Sequence, residues 1–355
     1  MNQLLLEKSY ENLQGQLAHS IIMNALEGIQ RTEWCPNKDG DLAYGPSPRI
    51  EPLIHRVVLT GPYCTYDQLK QVGELWPYDR GQKSSYKNNF TSNISGFIRI
   101  ISKWPKNSYR RPIRIELIPK RYVEAKEYKK ALIDLMRALP QPLQVSEVEY
   151  AVDIYCYSPR EVASLFYELI HCLWVPYKSS VGMVGEDMAQ YGKNVRANHV
   201  FHAKAEDSKV KIYERGPDNR RKKGEKGWEL ERCDRVRIEQ TAKRSKLLYH
   251  GIDTLYDLIE NPKFLELNEK IFNFKKFEGS KKLPKPWEAY RSKDKYGNQV
   301  GAIQAEYLHF KKLQPDDTGY VANVSQYLND VPEFEKLKAI LIDKLREFDR
   351  EWEMA

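Results

Sequence analysis

The chain has 355 residues, which is enough for one large domain or two of ordinary size. No apolar run approaches the roughly 18–20 residues that span a bilayer, and the amino terminus has no basic region followed by an apolar stretch, so the sequence predicts neither a membrane protein nor a secreted one. The net charge of +8 favours an anionic partner such as nucleic acid.

The cysteines indicate a reducing compartment. The chain has five of them, an odd number, and they are scattered without a CxxC pair. This pattern argues against a disulfide scaffold and against a zinc ribbon. We therefore expect a cytoplasmic protein.

The amino-terminal part of the chain is predicted to alternate helices, strands and polar loops. Residues 2–30 carry apolar residues at helical spacing, and residues 31–53 are rich in Pro, Gly and Asp, as in a loop. Next come a strand (56–61), a short helix (66–76), a polar loop (77–95), two strands across a basic turn (97–102 and 113–119) and a helix (124–138). Pro140 ends that helix.

The carboxyl-terminal part contains a strongly marked helix start. Ser158 is the predicted N-cap, Pro159 takes the first helical position, and Glu161 completes a capping box. The apolar stripe that follows consists of Val162, Leu165, Phe166, Leu169 and Leu173. Strands are predicted at 147–155, 199–205, 209–215 and 234–242, helices at 253–260 and 263–276, a linker at 279–300 and an amphipathic helix at 331–352.

Set side by side, the two halves have similar patterns. Residues 56–138 are predicted as β-α-β-β-α and residues 147–260 as β-α-β-β-β-α. We therefore expect an α+β fold made of duplicated β-α-β-β units, with largely antiparallel sheets and helices packed on them. The expected organisation is an amino-terminal helix and loop (1–55), a catalytic domain (56–278) and a linker with a helical carboxyl-terminal segment (279–355).

Three of the predicted strands combine residue types that suit the cutting and rejoining of DNA. Each alternates apolar and polar residues, so each presents one polar face. The polar sets are Glu147, Glu149 and Asp153 in the first strand, Lys211, Tyr213 and Arg215 in the second, and Arg235, Arg237 and Glu239 in the third. Carboxylates can hold a hard divalent cation, a hydroxyl can attack phosphorus, and arginines bind phosphate.

The order of these segments resembles the replication initiation factor family, the rolling-circle initiators of Gram-positive plasmids with related relaxases of conjugative elements. A strand with carboxylates and a capped helix precede DSKVKIYERG (207–216) and DRVRIEQTAKR (234–244), which match the tyrosine and final-glutamate segments of that family in type and order. The upstream segment RPIRIELIPKRYVEAKEYKKALIDLMRALP (111–140) is similar to the corresponding stretch of the filamentous-phage replication initiator.

The resemblance implies a nickase that cuts one strand at the origin of a plasmid or phage. Tyr213 would be the nucleophile, becoming linked to a 5′ phosphate, with Lys211 or Arg215 as the nearby cation. Glu149, Asp153 and Glu239 would hold Mg²⁺ or Mn²⁺. Because the family usually carries Arg-x-Asp in the first strand, where this chain has Glu147, Val148 and Glu149, the leading ligand among Glu147, Glu149 and Asp153 stays open.

The expected partners are origin DNA, a host helicase and a polymerase, with a homodimer as a possibility. The run at Arg220, Arg221, Lys222 and Lys223 is predicted to contact DNA phosphates, together with Arg235 and Arg237. Two alternatives remain open on the sequence. One is a relaxase that uses the same chemistry in conjugative transfer, and the other is a non-catalytic DNA-binding protein on the same scaffold.

Overall fold

A computed structural model gives the fold of the protein. It describes residues 50–78, 85–94, 97–106, 111–119, 123–156, 162, 165–166, 169, 208–215, 235–277 and 332–355, together with the backbone pairing of strands at 34–36, 42–44, 180–185, 197–204 and 328–330.

Among the described residues, ten strands form one sheet in which every neighbouring pair is antiparallel, in the order β4-β5-β6-β7-β3-β8-β12-β11-β10-β9. The strands of this sheet are β3 (Ile50–Gly61), β4 (Trp76–Pro77), β5 (Tyr86–Ile94), β6 (Phe97–Pro105), β7 (Ile113–Pro119), β8 (Gln144–Tyr155), β9 (Ser180–Gly185), β10 (Ala197–Lys204), β11 (Ser208–Glu214) and β12 (Arg235–Lys243). Two small pairs lie outside it, β1 (Trp34–Pro36) with β2 (Leu42–Tyr44) and β13 (Lys275–Phe277) with β14 (Leu328–Asp330).

Helices pack on one face of this sheet and bury apolar side chains of its central strands β3, β8 and β12. They are α1 (Tyr66–Lys70), α2 (Ala125–Ala138), α3 (Arg244–Tyr249), α4 (Leu255–Glu260), α5 (Phe264–Asn268) and α6 (Pro332–Met354). The contacts between them are specific: Trp352 of α6 donates a hydrogen bond to the carbonyl of Ile259, and the Asp349 carboxylate accepts from the backbone N–H of Phe264 and Leu265 at the start of α5. This side is the helix-covered face.

The opposite side of the sheet carries charged and polar side chains, and we call it the polar face. It is defined by Arg56 of β3, Glu149 of β8, Glu239 of β12 and Lys211 of β11. Arg56 lies opposite Glu149 and Lys211 lies opposite Glu239, while the two glutamates are diagonal neighbours. Strand alternation separates the two faces, since Val148, Tyr150 and Val152 of β8 point into the hydrophobic core.

A β-bulge interrupts the alternation of β3 at the centre of the sheet. The register passes from Ile54 opposite Tyr150 directly to Arg56 opposite Glu149, which leaves His55 as an extra residue. Two consecutive residues, His55 and Arg56, therefore both lie on the polar face. Bulges commonly redirect a side chain in this way next to functional sites.

Several sequence predictions are confirmed. The fold is α+β with an antiparallel sheet, the strands at 97–102 and 113–119 pair with each other, and the helix predicted at 124–138 is α2. The carboxyl-terminal helix is α6, and the helical residues Val162, Leu165, Phe166 and Leu169 are buried as a stripe. Among the described helices, none is long and apolar enough to cross a membrane.

Two predicted loops in the amino-terminal half, 31–53 and 77–95, are wrong in part, whereas the strand predicted at 56–61 is present in β3. Residues 77–95 do not form only a loop, because the nine residues of β5 lie within the range, with the largely polar sequence YKNNFTSNI. The strand predicted at 56–61 begins at Ile50, within residues assigned to a loop. The duplication of the β-α-β-β unit stays a prediction. The helix predicted at 2–30, the helix start at 158–161 and the linker at 279–300 lie outside the described residues.

Candidate metal centre and neighbouring tyrosine

His55, Glu149 and Glu239 bring three ligand atoms together on the polar face. The Nδ1 atom of His55 lies 3.0 Å from Oε2 of Glu239 and 3.3 Å from Oε2 of Glu149. One ligand atom from each of the three residues lies within 4.8 Å of the others, an arrangement that can hold a metal ion. Imidazole nitrogen and carboxylate oxygen are both common metal ligands.

His55 brings a buried nitrogen to the two carboxylates. Its Nδ1 atom makes ion-pair contacts of 3.0 Å with Glu239 and 3.3 Å with Glu149, although neither contact is aligned as a hydrogen bond. A metal ion held between the imidazole and the two carboxylates would use these same three ligand atoms.

The register of the sheet explains why the two glutamates meet. Glu239 lies opposite Ala151 on β8, and Glu149 lies opposite Thr241 on β12. The two glutamates are therefore diagonal neighbours on one face, a separation of about 7–8 Å between backbones that long side chains bridge. The bulge in β3 then adds His55 from the other side of β8.

Lys211 supplies a positive charge between the two carboxylates. It lies directly opposite Glu239 in the β11–β12 register. Its ammonium group contacts Oε1 of Glu239 and lies 3.3 Å from Oε1 of Glu149. Burial alone would lower the pKa of Lys211, but the two carboxylates outweigh it and raise the pKa, so the lysine stays charged.

Arg56 links this group to a second pair of carboxylates. Its Nη2 atom donates to Glu149 at 2.9 Å and also contacts Glu147, while Nη1 lies 3.4 Å from Glu116. Glu147, one of three residues left open as the leading ligand, is therefore bound to the guanidinium. Among Glu147, Glu149 and Asp153, it is Glu149 that shares His55 and Lys211 with Glu239.

Tyr213 lies next to the same carboxylates. Its hydroxyl donates a hydrogen bond of 2.8 Å to Oε2 of Glu239, the oxygen that also faces His55. The side chain is only 1% exposed, and it lies on the polar face rather than in the hydrophobic core of the helix-covered face. The predicted grouping of an aromatic hydroxyl with two acidic side chains is therefore present.

The two glutamates remain ionised despite their burial. Burial raises the pKa of Glu239, but His55, Lys211 and Arg237 together hold that pKa well below its usual value. For Glu149, burial and the nearby charge of Glu239 raise the pKa. His55, Lys211 and Arg56 lower it by more, so the pKa of Glu149 lies below its usual value. Two ionised carboxylates at this spacing are what a divalent cation requires.

Asp153 belongs to a different group on the same face. Its two oxygens accept hydrogen bonds of 2.5 and 2.7 Å from Nε and Nη2 of Arg237, and Arg235 lies 3.0 Å away. Burial raises the pKa of Asp153, but these arginines with Arg215 lower it overall. The structure thus pairs Asp153, predicted as a metal ligand, with arginine instead of with His55, Glu149 and Glu239.

The arginines predicted to contact DNA differ in how exposed they are. Arg237 is 3% exposed and occupied by Asp153, so its guanidinium is not available to a DNA phosphate in this arrangement. Arg235 is partly exposed and stacks 5.0 Å from the ring of Tyr155. Arg215 follows β11 near Asp153. The run from Arg220 to Lys223 lies outside the described residues.

Sequence reasoning missed His55. The segment IEPLIHRVVLTG has two adjacent polar residues, His55 and Arg56, between apolar Ile54 and Val57. This break in alternation, between the apolar stretches that flank His55 and Arg56, is the signal of a bulge that could have revealed His55.

No family model matches the chain, and no curated protein sequence matches it.

Proposed function

We propose that the protein is a metal-dependent DNA nickase that joins DNA to Tyr213, and that it initiates rolling-circle replication. One observation carries this proposal: the Tyr213 hydroxyl is hydrogen-bonded to Glu239, which is also one of the three residues of the candidate metal centre. A nucleophile, its proton acceptor and a cation site within one hydrogen bond of each other are the parts that phosphoryl transfer needs.

The residues of this chain can carry out the transfer as follows. The Tyr213 oxygen forms a bond to phosphorus while the bond from phosphorus to the 3′ oxygen breaks. The phenol proton leaves along the hydrogen bond to Oε2 of Glu239 and passes on to solvent, because a carboxylate whose pKa is lowered this far does not keep it, and the departing 3′ oxygen takes a proton from solvent. The product is a 5′-phosphotyrosine and a free 3′ hydroxyl. Attack by a 3′ hydroxyl reverses the step, so the strand is resealed without ATP.

Activation of the tyrosine is the difficult part of this chemistry. A phenol has a pKa near 10 and is a poor nucleophile at pH 7. Lys211, in contact with Oε1 of Glu239, offsets the negative charge that appears when Tyr213 loses its proton. Arg237 lies opposite Tyr213 in the sheet register and adds a second positive charge nearby.

The candidate metal centre is the proposed site of Mg²⁺ or Mn²⁺. A divalent cation bound there would polarise the scissile phosphate and offset the charge that develops on its oxygens. His55, Glu149 and Glu239 would hold it. Since Mg²⁺ prefers all-oxygen ligation and imidazole suits transition metals, the donor set with His55 favours Mn²⁺ over Mg²⁺.

A second candidate function follows from the burial of Tyr213. With 1% of its side chain exposed, a DNA phosphate reaches the hydroxyl only after the residues that cover it move. A non-catalytic DNA-binding protein on the same scaffold needs no such movement. In that protein Tyr213 would serve to fix Glu239 and the strands around it.

Substitution of the tyrosine separates the two candidates. Supercoiled DNA carrying the protein's own origin is incubated with the protein and Mg²⁺ or Mn²⁺, and both nicked circles and denaturant-resistant protein–DNA adducts are measured. We expect the adduct from the native protein and none from Tyr213→Phe. The control is Tyr249→Phe, since Tyr249 is 87% exposed and distant in sequence.

The outcomes are unambiguous. An adduct that persists in Tyr213→Phe assigns the nucleophile to another residue. If the native protein forms no adduct and nicks no origin with either metal, the non-catalytic function stands. Peptide mapping of the adduct identifies the attached residue directly, and a test of strand transfer between cells distinguishes the replication initiator from the relaxase.

A further inference from the structure

The first half of the sheet concentrates the exposed aromatic side chains. In the described part of the chain, seven aromatic side chains are exposed, and five of them lie between residues 63 and 104. These five are Tyr63, Tyr66, Trp76, Tyr78 and Trp104. They are between 41% and 48% exposed. Single exposed aromatic residues need no explanation, but a concentration of them marks an interaction surface.

Tyr63, Lys103 and Trp104 form a compact group at one end of this half, which we call the aromatic platform. The ring centroids of Tyr63 and Trp104 are 5.2 Å apart. The ammonium group of Lys103 lies 4.6 Å from the Tyr63 ring and 5.2 Å from the Trp104 ring. Lys103 is itself 5% exposed, so the cation is held in place beneath rings that stay nearly half exposed.

The backbone of Trp104 is strained in a way that keeps its ring in this position. Its φ angle is 62°, in the left-handed region that bulky residues rarely adopt. An ordinary negative φ at Trp104 would cost less, but strand alternation would then direct the Trp104 ring to the face opposite that of Lys103. Strain of this kind persists where the surroundings enforce it, and it clusters at binding sites.

The charge of the same segment identifies the chemistry of a partner. Residues 61–114 contain ten Lys and Arg residues and three Asp and Glu residues, which is a net charge of +7 out of +8 for the whole chain. Near the platform, Lys106 and Arg111 are exposed. Exposed cations beside exposed aromatic rings fit an anionic partner that also has flat apolar faces.

We propose that the aromatic platform binds single-stranded DNA by stacking unpaired bases on Tyr63 and Trp104. Duplex DNA hides its base faces, whereas a single strand offers them, and stacking on aromatic side chains with cations along the backbone is how proteins hold single strands. The inference rests on the proposed function, which requires an unpaired strand at the nick site. The platform would hold that strand outside the candidate metal centre.

The platform and the candidate metal centre are separate places on the sheet. Lys103 pairs with Ile113, which pairs with Gly61 at the end of β3, and His55 lies six residues before Gly61 on the same strand. At about 3.3 Å per residue, the separation along the strand is about 20 Å. Substitutions in the platform therefore leave the metal ligands untouched, and binding can be measured apart from cleavage.

The test is a binding titration without metal. A labelled oligothymidylate of about a dozen nucleotides is titrated with protein in chelator at fixed salt, and its fluorescence anisotropy is followed. We expect Tyr63→Ala and Trp104→Ala each to raise Kd by about 5- to 160-fold, the range for loss of one stacked base. Trp104→Phe should restore most of the affinity, because stacking survives while the indole does not.

Two exposed tyrosines outside the aromatic platform provide control variants. Tyr249→Ala and Tyr256→Ala remove exposed rings outside the platform and should leave Kd within about twofold of the native value. The proposal would be overturned if Tyr63→Ala and Trp104→Ala both bound the oligothymidylate with the Kd of the native protein. It would also be overturned if these variants lost as much affinity for duplex DNA of the same length as for the single strand. Since no strand is cut in chelator, the platform can fail while nicking stands, and nicking can fail while the platform stands.

Discussion

Two groups of buried carboxylates lie on the same face of the same strands, and they are neutralised in different ways. Asp153 meets Arg237 in a two-pronged pair, in which both carboxylate oxygens accept hydrogen bonds from one planar guanidinium. Glu149 and Glu239 meet no such matched partner. They share Lys211, and between them they face the imidazole of His55.

The difference separates a carboxylate that is filled by an ion pair from carboxylates that can still accept a ligand. A carboxylate whose two oxygens are filled by one arginine has no capacity left for a metal. Carboxylates that share a lysine keep an oxygen each for a further ligand, and here those oxygens point at Nδ1 of His55. Glu149 and Asp153 are only four residues apart on β8, yet one faces His55 and the other is paired with arginine. Position along the strand therefore does not decide whether a carboxylate is filled by an arginine or stays open to a ligand.

Removal of the Asp153 charge should have the largest effect on stability. Asp153→Asn leaves the buried guanidinium of Arg237 without its counter-ion, and such losses cost about 3–5 kcal/mol of unfolding free energy. Urea denaturation at pH 7 measures the effect. Asp253→Asn is the control, because Asp253 forms a half-exposed pair with Arg244 and should cost at most about 1 kcal/mol.

The same pair predicts a dependence on pH. Asp153 has its pKa lowered in the folded protein, so its stabilisation is fully present above the unfolded pKa of about 3.9 and is lost as the pH falls through the folded pKa. The stability difference between the native protein and Asp153→Asn should therefore shrink below about pH 4. A difference that stays constant from pH 7 to pH 3 would contradict the ion pair.

Loss of a metal ligand should abolish tight metal binding without unfolding the protein. Glu149→Gln, Glu239→Gln and His55→Ala each remove one ligand atom, and we expect Mn²⁺ affinity to fall by about 100-fold or more, since outer-shell changes alone cost 10- to 100-fold. Calorimetric titration measures this. Glu147→Gln is the matched control, because Glu147 contacts Arg56 rather than His55; an equal loss there would redefine the centre.

Removal of the Lys211 charge should strengthen metal binding. The lysine neutralises the same two carboxylates that a cation would occupy, so a bound metal has to share them with its ammonium group. We expect Lys211→Met to raise Mn²⁺ affinity by about 10-fold, with Lys126→Met on the exposed side of α2 as the control. Weaker binding would mean that Lys211 positions the carboxylates instead of competing for them.

Removal of Arg235 should have the smallest effect. Arg235 is the second partner of Asp153, about 22% exposed, and Arg237 already fills both carboxylate oxygens. We expect Arg235→Gln to cost less than about 1 kcal/mol in the same urea experiment. A cost as large as that of Asp153→Asn would show that the pair depends on both arginines.

Sequence patterns predicted the strands of the second half and the faces of their residues, because alternation of apolar and polar residues is a local property. They predicted that Tyr213, Glu149 and Glu239 share a face. They did not predict Asp153 with Arg237, since that contact depends on the register between β8 and β12. His55 was missed because a bulge in β3 moves it onto the polar face. β5 was missed because Asn88 and Ser92 interrupt the row formed by Tyr86, Phe90 and Ile94 on one side of the strand.

The position of β3 has a consequence for how the protein can be dissected. This strand comes first among the long strands, yet it lies at the middle of the sheet, between β7 and β8. A fragment limited to residues 111–244 would contain Tyr213 and both glutamates but would expose β7 and β8 as bare edges, which invite aggregation. Such a fragment would also lack the imidazole of His55, so a fragment that keeps the candidate metal centre and the whole of β3 has to begin before Ile50.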